Sequence, residues 1–302
     1  MTGRLLVTGY GGFVAGSVVQ QARRDWQVVA LSQFGVPNGP TDVVCHVLDL
    51  CHAEELRQIF EQARPQALIH TAAMADIDQC QSQQAAAEAV NVGVTEHLAQ
   101  LCRDTGTKMV FCSTDSVFDG VRGNYAEEDP PGPLNWYATT KVRAERAVQT
   151  SADRGVVARL SLVMGLPILG TGNSFLAKMI GQLNRGQPVR FPANEIRTPI
   201  DVITLGRALL ELAGNDLTGV IHLAGNTRLN RYEMALQLAD RLGYRRDLVC
   251  ATDSNAMAGR APRPNDASLN NAKARRMLRT PMLSLMQGLD LVLAHQETST
   301  HG

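Results

Sequence analysis

A tyrosine and a lysine four residues apart, Tyr137 and Lys141, have the types and spacing that could perform proton transfer, with Thr114 some two dozen residues upstream. If residues 136–149 are helical, the phenol and the ammonium lie on one face, one turn apart. A nearby cation favours phenolate, so we predict that Lys141 lowers the pKa of Tyr137 from its reference of about 10. Tyr137 would then donate a proton near neutral pH, and the Thr114 hydroxyl would hold a substrate oxygen.

This spacing is weak evidence by itself, because a solvated helix face produces it as well. The predicted secondary structure around the two residues must decide between a catalytic pair and a solvated helix face. The composition first limits the class of protein. The chain has 302 residues, 44% hydrophobic and 19% charged, enough to bury a large core as one domain or as two lobes. Its 29 basic and 29 acidic residues balance, which argues against nucleic acid or an anionic membrane as a partner.

The cysteines and the hydropathy narrow the class of protein further. The six cysteines form no Cys-x-x-Cys pair and no metal spacing with histidine, so we expect reduced core cysteines and no metal. Glycines break the apolar run at the N-terminus, and no uninterrupted apolar stretch is long enough to cross a bilayer. We therefore predict a soluble cytoplasmic protein.

A glycine-rich loop follows the first predicted strand. Residues 4–8, with Leu5, Leu6 and Val7 at their centre, predict a short buried strand. Gly9-Tyr-Gly11-Gly12 then leads into an amphipathic stretch that ends at Arg24. Strand, glycine turn and helix are the context in which dinucleotides bind. Gly9 permits the tight turn, and Gly12 lets backbone N–H groups approach a pyrophosphate at the helix N-terminus.

The residues after the second predicted strand, 27–31, bear on the choice of cofactor. NAD-selective folds usually place an acidic residue here, where it binds the ribose 2′-hydroxyl. This sequence has Ser32 and Gln33 instead, and no arginine follows to hold a 2′-phosphate. Because a carboxylate would repel that phosphate and none is present, we predict that NADP(H) is preferred, with NAD(H) as the alternative.

Further candidate cofactor contacts lie after later strands. Asp49 stands where an adenine amino group could be read, and small residues after His70 would let the cofactor lie against the backbone. His70 itself is interpreted as a core or turn histidine. Asn91, within a predicted helix 83–105, is either a surface residue or a contact. The predicted cofactor set is Gly9, Gly11, Gly12, Phe13, Val14, Ser32, Asp49, Leu50, Thr71, Ala72, Ala73, Asn91, Tyr137 and Lys141.

Strands and helices alternate up to residue 160, which predicts a parallel sheet with right-handed crossovers. Thr114 follows the fifth predicted strand, 108–112, at the edge where open α/β sheets place their chemistry. Beyond residue 160 the alternation stops, and Arg197-Thr-Pro199 is predicted to form a turn. We predict an α/β fold: a Rossmann-type doubly wound parallel sheet with a smaller C-terminal substrate lobe. The predicted NAD(P)-binding domain comprises residues 1–160 and 200–224, and the lobe comprises residues 161–199 and 225–302.

With these residues in place, the chain resembles the extended short-chain dehydrogenase/reductase family. Within that family it resembles the dTDP-4-dehydrorhamnose reductase group of sugar-nucleotide reductases, over nearly its whole length. The motifs that carry the resemblance are, in order, Thr8-Gly-Tyr-Gly-Gly12, His70-Thr-Ala-Ala73, Ser113-Thr-Asp-Ser-Val-Phe-Asp-Gly120, Tyr137-Ala-Thr-Thr-Lys141, Arg197-Thr-Pro199, Arg231-Tyr-Glu233 and Pro262-Arg-Pro264.

The resemblance implies hydride transfer from NADPH to C4 of a nucleotide-linked 4-keto-6-deoxy sugar. It implies that Tyr137 protonates the resulting alkoxide and that Thr114 binds the reacting oxygen. Lys141 would lower the pKa of Tyr137 and bind the nicotinamide ribose. The cofactor carries the difficult chemistry, so the task of the protein is to position and to polarise.

Three arginines are candidates for the nucleotide phosphates, because arginine forks suit phosphate: Arg197, Arg231 and Arg263. Each could equally form a structural ion pair. The predicted substrate contacts are Ser116, Leu162, Arg197 and Arg263.

Some positions depart from the pattern of the resembled group. Ser116 and Leu162 stand where the rhamnose-forming enzymes typically carry aromatic residues that line the sugar pocket, which suggests a different or roomier substrate. Ser17 aligns with an acidic residue that some members use for a metal-bridged dimer, so we expect no magnesium site. A monomer and a homodimer are both open.

Two other functions are compatible with the sequence, because a fold does not fix a function. One is a non-catalytic, NADP-binding regulatory subunit resembling that of methionine adenosyltransferase. The other is a sugar-nucleotide epimerase or dehydratase, which would keep the cofactor and add acid–base residues beside the threonine. Asp115 is a candidate for such a residue.

Overall fold

A seven-stranded sheet lies at the centre of the computed structural model, which describes residues 3–36, 39–170, 172–256 and 259–300. In spatial order the strands are β11 (Gly219–Leu223), β6 (Gly155–Leu160), β5 (Lys108–Thr114), β4 (Ala67–His70), β1 (Arg4–Thr8), β2 (Gln27–Ser32) and β3 (Val44–Val47). All neighbouring strands are parallel. The strand order reverses between β1 and β4, the place where doubly wound sheets bind their ligands. The predicted Rossmann-type fold is confirmed.

Helices cover both faces of the sheet. The helices are α1 (Phe13–Ala22), α2 (Ala53–Ala63), α3 (Ile77–Ser82), α4 (Gln84–Glu88), α5 (Val94–Thr105), α6 (Trp136–Ser151), α7 (Phe175–Leu183), α8 (Val202–Ala213), α9 (Arg231–Arg241), α10 (Ala272–Met277) and α11 (Leu285–Thr300). Side chains alternate along β1: Leu5 and Val7 pack with α1 and α8, whereas Leu6 packs with α2 and α5. Two covered faces explain why β4 and β5 are buried throughout. Within the described ranges, no helix is long and apolar enough to cross a membrane.

A third hydrophobic core lies in the later part of the chain and joins α7, α9 and the start of α11. Short strands accompany these helices: β7 (Val163–Met164), β8 (Val189–Pro192), β9 (Ile196–Arg197), β10 (Ile200–Asp201), β12 (Leu229–Asn230) and β13 (Val249–Thr252). Ala274, Leu278 and Met282 instead pack into the core of the large sheet. A part of the predicted lobe therefore packs on the sheet rather than on the third core.

The structure corrects three local predictions. Strand β5 continues to Thr114, because Ser113 and Thr114 pair with Arg159 and Leu160 of β6. The predicted helix 83–105 contains a π-helical turn at Ala89–Gly93. Arg197, predicted to lie in a turn, ends β9, which pairs antiparallel with β12. The first of these places Thr114 on the sheet itself, where its side-chain direction is fixed.

Candidate active site

The glycine loop between β1 and α1 has a backbone that favours glycine at two positions. Gly9 and Gly11 have φ angles of +79° and +99°. A Cβ atom on Gly9 would lie 2.8 Å from Thr71 Oγ1 and 2.9 Å from the Ala72 amide nitrogen. The loop therefore passes directly against the chain that follows β4, as a dinucleotide-binding turn requires.

Helix α1 begins without a side-chain cap. Its N-cap residue is Gly12, which has no side chain to bond the first N–H groups, and its first turn contains no acidic residue. The N-terminus of the helix therefore keeps its partial positive charge and its N–H groups for a ligand, an arrangement that binds phosphate groups. The residues present fit the pyrophosphate of a dinucleotide.

A cleft of about 600 Å³ lies at this loop, and we call it the glycine-loop cleft. The predicted cofactor residues that line it are Gly9, Gly11, Gly12, Ser32, Asp49, Leu50, Ala72 and Ala73. Tyr10, Gln33 and Phe34 also line the cleft and were missed; their position directly after β1 or β2 is the signal that could have found them. Among the lining residues that the structure describes, Asp49 alone carries a charge, so the cleft is nearly neutral.

His70 lies buried under the glycine loop in a chain of hydrogen bonds. Its Nδ1 is 2.7 Å from Thr8 Oγ1, and its Nε2 is 3.1 Å from Thr95 Oγ1. The Thr95 hydroxyl donates to the Asn91 carbonyl at 2.8 Å, so the ring donates through Nε2 and accepts through Nδ1. Burial, aided by the Lys141 charge, lowers the pKa of His70 to about 3. The interpretation of His70 as a core histidine is confirmed.

Two predicted cofactor residues form hydrogen bonds within the protein. The Thr71 hydroxyl donates to the Thr8 carbonyl at 2.7 Å. Asn91 is buried; its Nδ2 donates to the Met74 carbonyl at 3.1 Å and to Thr140 Oγ1 at 3.0 Å, while its Oδ1 accepts the Met74 amide at 2.8 Å. Asn91 therefore joins the segment after β4 to helix α6, and it is not a surface residue.

Tyr137 and Lys141 lie on helix α6, whose N-terminus meets the end of β5. The Asn135 side chain caps this helix by accepting a first-turn amide at 2.9 Å. Lys141 is buried, and its Nζ donates to the Cys112 carbonyl at 2.7 Å. The Tyr137 phenol lies close enough to Thr114 for that hydroxyl to lower its pKa, and both side chains line one cleft. The three predicted catalytic residues therefore meet at the carboxyl edge of the sheet.

The protonation states of these groups differ from the sequence-based prediction. Desolvation raises the pKa of the Tyr137 phenol above its ordinary value of 10, and the Thr114 hydrogen bond offsets this only in part. Burial lowers the pKa of Lys141 to about 8, against the opposing influence of Cys112 and Glu145. The predicted lowering of the Tyr137 pKa is therefore wrong for the protein alone, because desolvation, together with the nearby Asp115, outweighs the effect of Thr114. At neutral pH the phenol is protonated and the lysine is charged.

A second cleft, of about 560 Å³, contains Thr114 and Tyr137 in its lining, and we call it the arginine cleft. Predicted residues in its lining are Ser116, Leu162, Arg197, Arg231 and Arg263, together with Phe13 and Val14, which were assigned to the cofactor. Lys178, Glu195 and Arg260 also line it and were missed. They come from separate segments of the chain, and no local motif marks any of them.

Two of the predicted phosphate-binding arginines are held by the protein. The Arg263 guanidinium contacts both carboxylate oxygens of Asp78, at 2.6 and 2.8 Å. Arg197 Nε lies 3.5 Å from Asp115 Oδ2, and its other nitrogens donate to main-chain carbonyls, including that of Ile196 at 2.7 Å. Both side chains therefore brace the walls of the arginine cleft.

The Arg231 guanidinium is only partly bonded by the protein. Its Nη1 lies 3.3 Å from the buried carboxylate of Glu195, which also lies 3.3 Å from Arg260 Nη1. Arg231 Nε is buried and has no hydrogen-bond partner among the described residues. Two cations therefore face one carboxylate, and this wall of the cleft carries a net positive charge suited to an anionic group.

Asp115 is buried beside Thr114 and is engaged on both oxygens. Its Oδ1 accepts the Thr114 hydroxyl at 3.4 Å and the Ser116 hydroxyl at 3.2 Å, and its Oδ2 accepts the Ser161 hydroxyl at 3.4 Å. Burial raises the pKa of Asp115, and the neighbouring Arg197 works against that rise. The carboxylate is therefore placed to hold the hydroxyls at the end of β5.

The position aligned with a dimer-bridging metal ligand is covered. Ser17 is buried, and its hydroxyl donates to the Val202 carbonyl at 2.9 Å, in the contact between α1 and α8. Within the part of the chain that the structure describes, no group of three histidine, cysteine, aspartate or glutamate residues could hold a metal ion.

A doubly wound sheet with an uncapped glycine loop and a Thr–Tyr–Lys set at its carboxyl edge defines an NAD(P)-dependent oxidoreductase of the extended short-chain dehydrogenase/reductase type. Residues 3–298 match the family described as the RmlD substrate binding domain, and the chain belongs to this family.

Relatives of known name carry more than one function. The chain is 28% identical to the dTDP-4-keto-6-deoxy-D-glucose reductase of Streptomyces niveus, over 93% of each chain. It is 27% identical to methionine adenosyltransferase 2 subunit beta of Rattus norvegicus, over 89% of this chain and 81% of that one. Among solved structures, dTDP-4-dehydrorhamnose reductase from Bacillus anthracis, in complex with NADP, superposes with a TM-score of 0.87 at 22% identity, covering 98% of this chain and 100% of that one.

Proposed function

We propose that the chain is an NADP(H)-dependent reductase that reduces the 4-keto group of a nucleotide-linked deoxy sugar. The observation that carries the proposal is that Thr114 and Tyr137 line one cationic cleft, which suits an anionic substrate. The lining of this cleft includes Phe13, the residue after Gly12 of the neutral cleft that fits a dinucleotide. The names of the reductase relatives agree with it.

The side chains of Tyr137, Thr114 and Lys141 would act as follows. The hydride comes from the nicotinamide of NADPH, and this is the chemistry that the cofactor supplies. The Tyr137 phenol, protonated at neutral pH, donates its proton to the carbonyl oxygen as negative charge develops there. Thr114 holds the same oxygen by a hydrogen bond. Lys141, anchored on the Cys112 carbonyl, places a positive charge behind the phenol and stabilises the phenolate that remains.

The arginine cleft would hold the nucleotide part of the substrate. Arg231 and Arg260 face it around the Glu195 carboxylate, and the unpartnered Arg231 Nε is a donor for a phosphate oxygen. Ser116 and Leu162, small or aliphatic, leave room where the resembled reductases carry aromatic rings. These residues support a sugar different from, or larger than, dehydrorhamnose.

The surroundings of Ser32 support NADP(H) over NAD(H). Ser32 and Gln33 line the glycine-loop cleft at the end of β2, and the one carboxylate among its described lining residues is Asp49, which follows β3. The six cysteines are free, which supports the proposed cytoplasmic location, where thiols stay reduced. The predicted core position is wrong for Cys45 and Cys51, which are exposed. A cofactor domain of residues 1–160 and 200–224 and a substrate lobe formed by the rest remain part of the proposal, as does a monomer or a homodimer.

The test is NADPH oxidation, followed by absorbance, against a panel of nucleotide-linked 4-keto-6-deoxy sugars. We expect turnover with one member of the panel and a fall of about 10²- to 10⁴-fold in kcat in Tyr137→Phe. NADPH affinity, measured by fluorescence titration, should stay near that of the wild type. A Tyr137→Phe variant with unimpaired turnover would overturn the assigned proton donor.

The relationship to methionine adenosyltransferase 2 subunit beta favours one alternative, a regulatory subunit that binds the cofactor without turnover. Tight NADPH binding, silence across the sugar panel and stoichiometric binding to a methionine adenosyltransferase catalytic subunit would establish it. The epimerase or dehydratase alternative needs a carboxylate available for proton transfer. Asp115 is bonded on both oxygens and paired with Arg197, which gives this alternative less support.

A further inference from the structure

A buried ion pair lies beneath the catalytic helix, outside the lining of both clefts. Glu145 is four residues after Lys141 on α6 and is 2% exposed; Arg159, on β6, is 4% exposed. The guanidinium binds the carboxylate side-on, with Nε 3.0 Å from Oε1 and Nη2 2.8 Å from Oε2. This geometry fixes both side chains in orientation as well as in distance.

The carboxylate also binds the strand that carries Thr114. The hydroxyl of Ser113, the preceding residue, donates to Glu145 Oε1 at 2.5 Å. Arg159 is itself held in place: its guanidinium carbon lies 5.1 Å from the centre of the Phe118 ring. Glu145 therefore links three elements, α6, β5 and β6, at the level of the catalytic residues.

Stability alone does not account for this pair. Two buried charges carry a large desolvation cost, and well-packed apolar residues of similar volume often stabilise a fold equally well. An apolar pair would not, however, fix the rotation and axial position of α6 relative to β5 with three directed hydrogen bonds. Nor would it place a negative charge one turn from Lys141.

We propose that Glu145, held by Arg159 and Ser113, is a positioning residue that sets Tyr137 and Lys141 in place against Thr114. The inference rests on the proposed reductase function only where kcat is the measured quantity. A misplacement of about 1 Å in an active site can reduce the rate about a hundredfold. The second contribution of Glu145 is electrostatic, because its charge opposes the desolvation of the Lys141 ammonium.

Lys141 has other titratable neighbours, and each is accounted for. They are His70 on β4, Cys80 on α3, Cys112 on β5 and Tyr137 on its own helix. All four are neutral at neutral pH, since the pKa of His70 is low and those of the two thiols and the phenol are raised. Glu145 is thus the carboxylate whose removal should change the pKa of Lys141 directly.

The test compares three variants with the wild type. Glu145→Gln/Arg159→Met removes both charges and so leaves no unpaired buried ion, which keeps the variant testable if Glu145→Gln fails to fold. Glu145→Asp keeps the charge and shortens the reach. Arg143→Gln is the matched control, because it breaks the partly exposed ion pair that Arg143, on the same helix, forms with Glu88 of α4.

The pKa of Lys141 is read directly by NMR of protein labelled with 13C at lysine Cε. The chain has four lysines, and Lys141→Arg assigns the signal. We expect a lower Lys141 pKa in the double variant, an almost unchanged one in Glu145→Asp, and kcat about tenfold to a hundredfold lower in both with unchanged KM. Arg143→Gln should match the wild type in each measurement.

A double variant with the kcat and the Lys141 pKa of the wild type would overturn the proposal. If the wild type reduces no sugar, the proposed function fails, and the proposal is then decided by the Lys141 pKa and by NADPH affinity. An unchanged pKa and an unchanged affinity in the double variant would reject it on those grounds alone. A lowered Lys141 pKa with weakened NADPH binding would support it.

Discussion

The glycine-loop cleft and the arginine cleft are built differently. The glycine-loop cleft is formed by main chain and small side chains, and among its described lining residues only Asp49 is charged. The arginine cleft is formed by long charged side chains. Its charged lining residues are Asp76, Asp115, Lys178, Glu195, Arg197, Arg231, Arg260 and Arg263. One cleft depends on how closely the backbone can approach a ligand, and the other depends on which side chains reach it.

This difference determines what each cleft tolerates. Backbone approach is lost when a single Cβ atom is added, whereas a wall of several paired charges loses one contribution at a time. The glycine-loop cleft should therefore respond to substitution in an all-or-none manner. The arginine cleft should respond in graded steps, and its specificity can change without loss of the fold.

The largest effect is expected at Gly9. In Gly9→Ala the new Cβ would meet Thr71 and the Ala72 amide at a positive φ, so we expect a loss of about 3 kcal/mol in stability and NADPH binding weaker by about a hundredfold. Gly186 is the matched control, because its φ is +68° and a Cβ there would meet nothing within 4 Å. Gly186→Ala should cost about 1 kcal/mol and leave NADPH affinity unchanged. Equal losses in the two variants, by urea denaturation and titration, would contradict the difference between the clefts.

Two buried, neutral histidines, His70 under the glycine loop and His222 on β11, should make the protein sensitive to acid. Burial lowers the pKa of His70 and of His222 to about 3, so only the unfolded chain takes up these protons as the pH falls below 6.5. The free energy of unfolding should therefore fall between pH 6.5 and pH 5, by about 2 kcal/mol for each histidine. Urea denaturation at the two pH values measures the loss, and His70→Asn should remove about half of it. A variant with the same pH slope as the wild type would show that His70 is protonated in the fold.

A graded effect is expected at Arg231. Arg231→Gln removes the free donor but leaves Glu195 paired with Arg260, so the wall keeps its fold. We expect KM for the nucleotide sugar to rise about tenfold while the Kd of NADPH stays constant. Arg246→Gln, at an exposed arginine of the same lobe, is the control and should change neither value. A change in NADPH affinity at Arg231 would show that the two clefts are not independent.

The smallest effect is expected at Ser32. In Ser32→Asp a carboxylate would face the 2′-phosphate of NADPH, so the preference for NADPH over NADH should fall about tenfold. Ser32→Asn, which has a similar size and no charge, should leave the preference close to that of the wild type. Competition titrations with the two reduced cofactors measure it. An unchanged ratio in Ser32→Asp would mean that the 2′-phosphate lies away from Ser32.

The sequence predicts the glycine-loop side of the molecule well, because its signals are local. The predicted bounds of β1, residues 4–8, are those of the structure, because this short run ends directly before Gly9. Ser32 and Asp49 were located because each follows directly after a predicted strand. Such residues need only their own strand to be placed correctly.

The arginine cleft was harder to predict because its contacts join distant segments. Glu195 and Arg260 lie 65 residues apart in the sequence and meet only in the folded chain. No residue near either of them predicts this contact. The reversed pKa shift at Tyr137 has a similar cause: spacing gave the lysine neighbour, but not the extent of burial around both groups. The π-helical turn around Asn91 was also missed, although Val90, Asn91, Val92 and Gly93 are weak helix formers.

The place of β11 in the sheet has a consequence for synthesis on the ribosome. The residues that line the glycine-loop cleft lie before residue 91 except for Gly170, so a growing chain completes that cleft early. Strand β6 keeps an open, apolar edge until β11 emerges some sixty residues later and pairs with it. Chains that stop between these strands expose a sheet edge that recruits other strands, so truncated products should aggregate even though their cofactor cleft is complete.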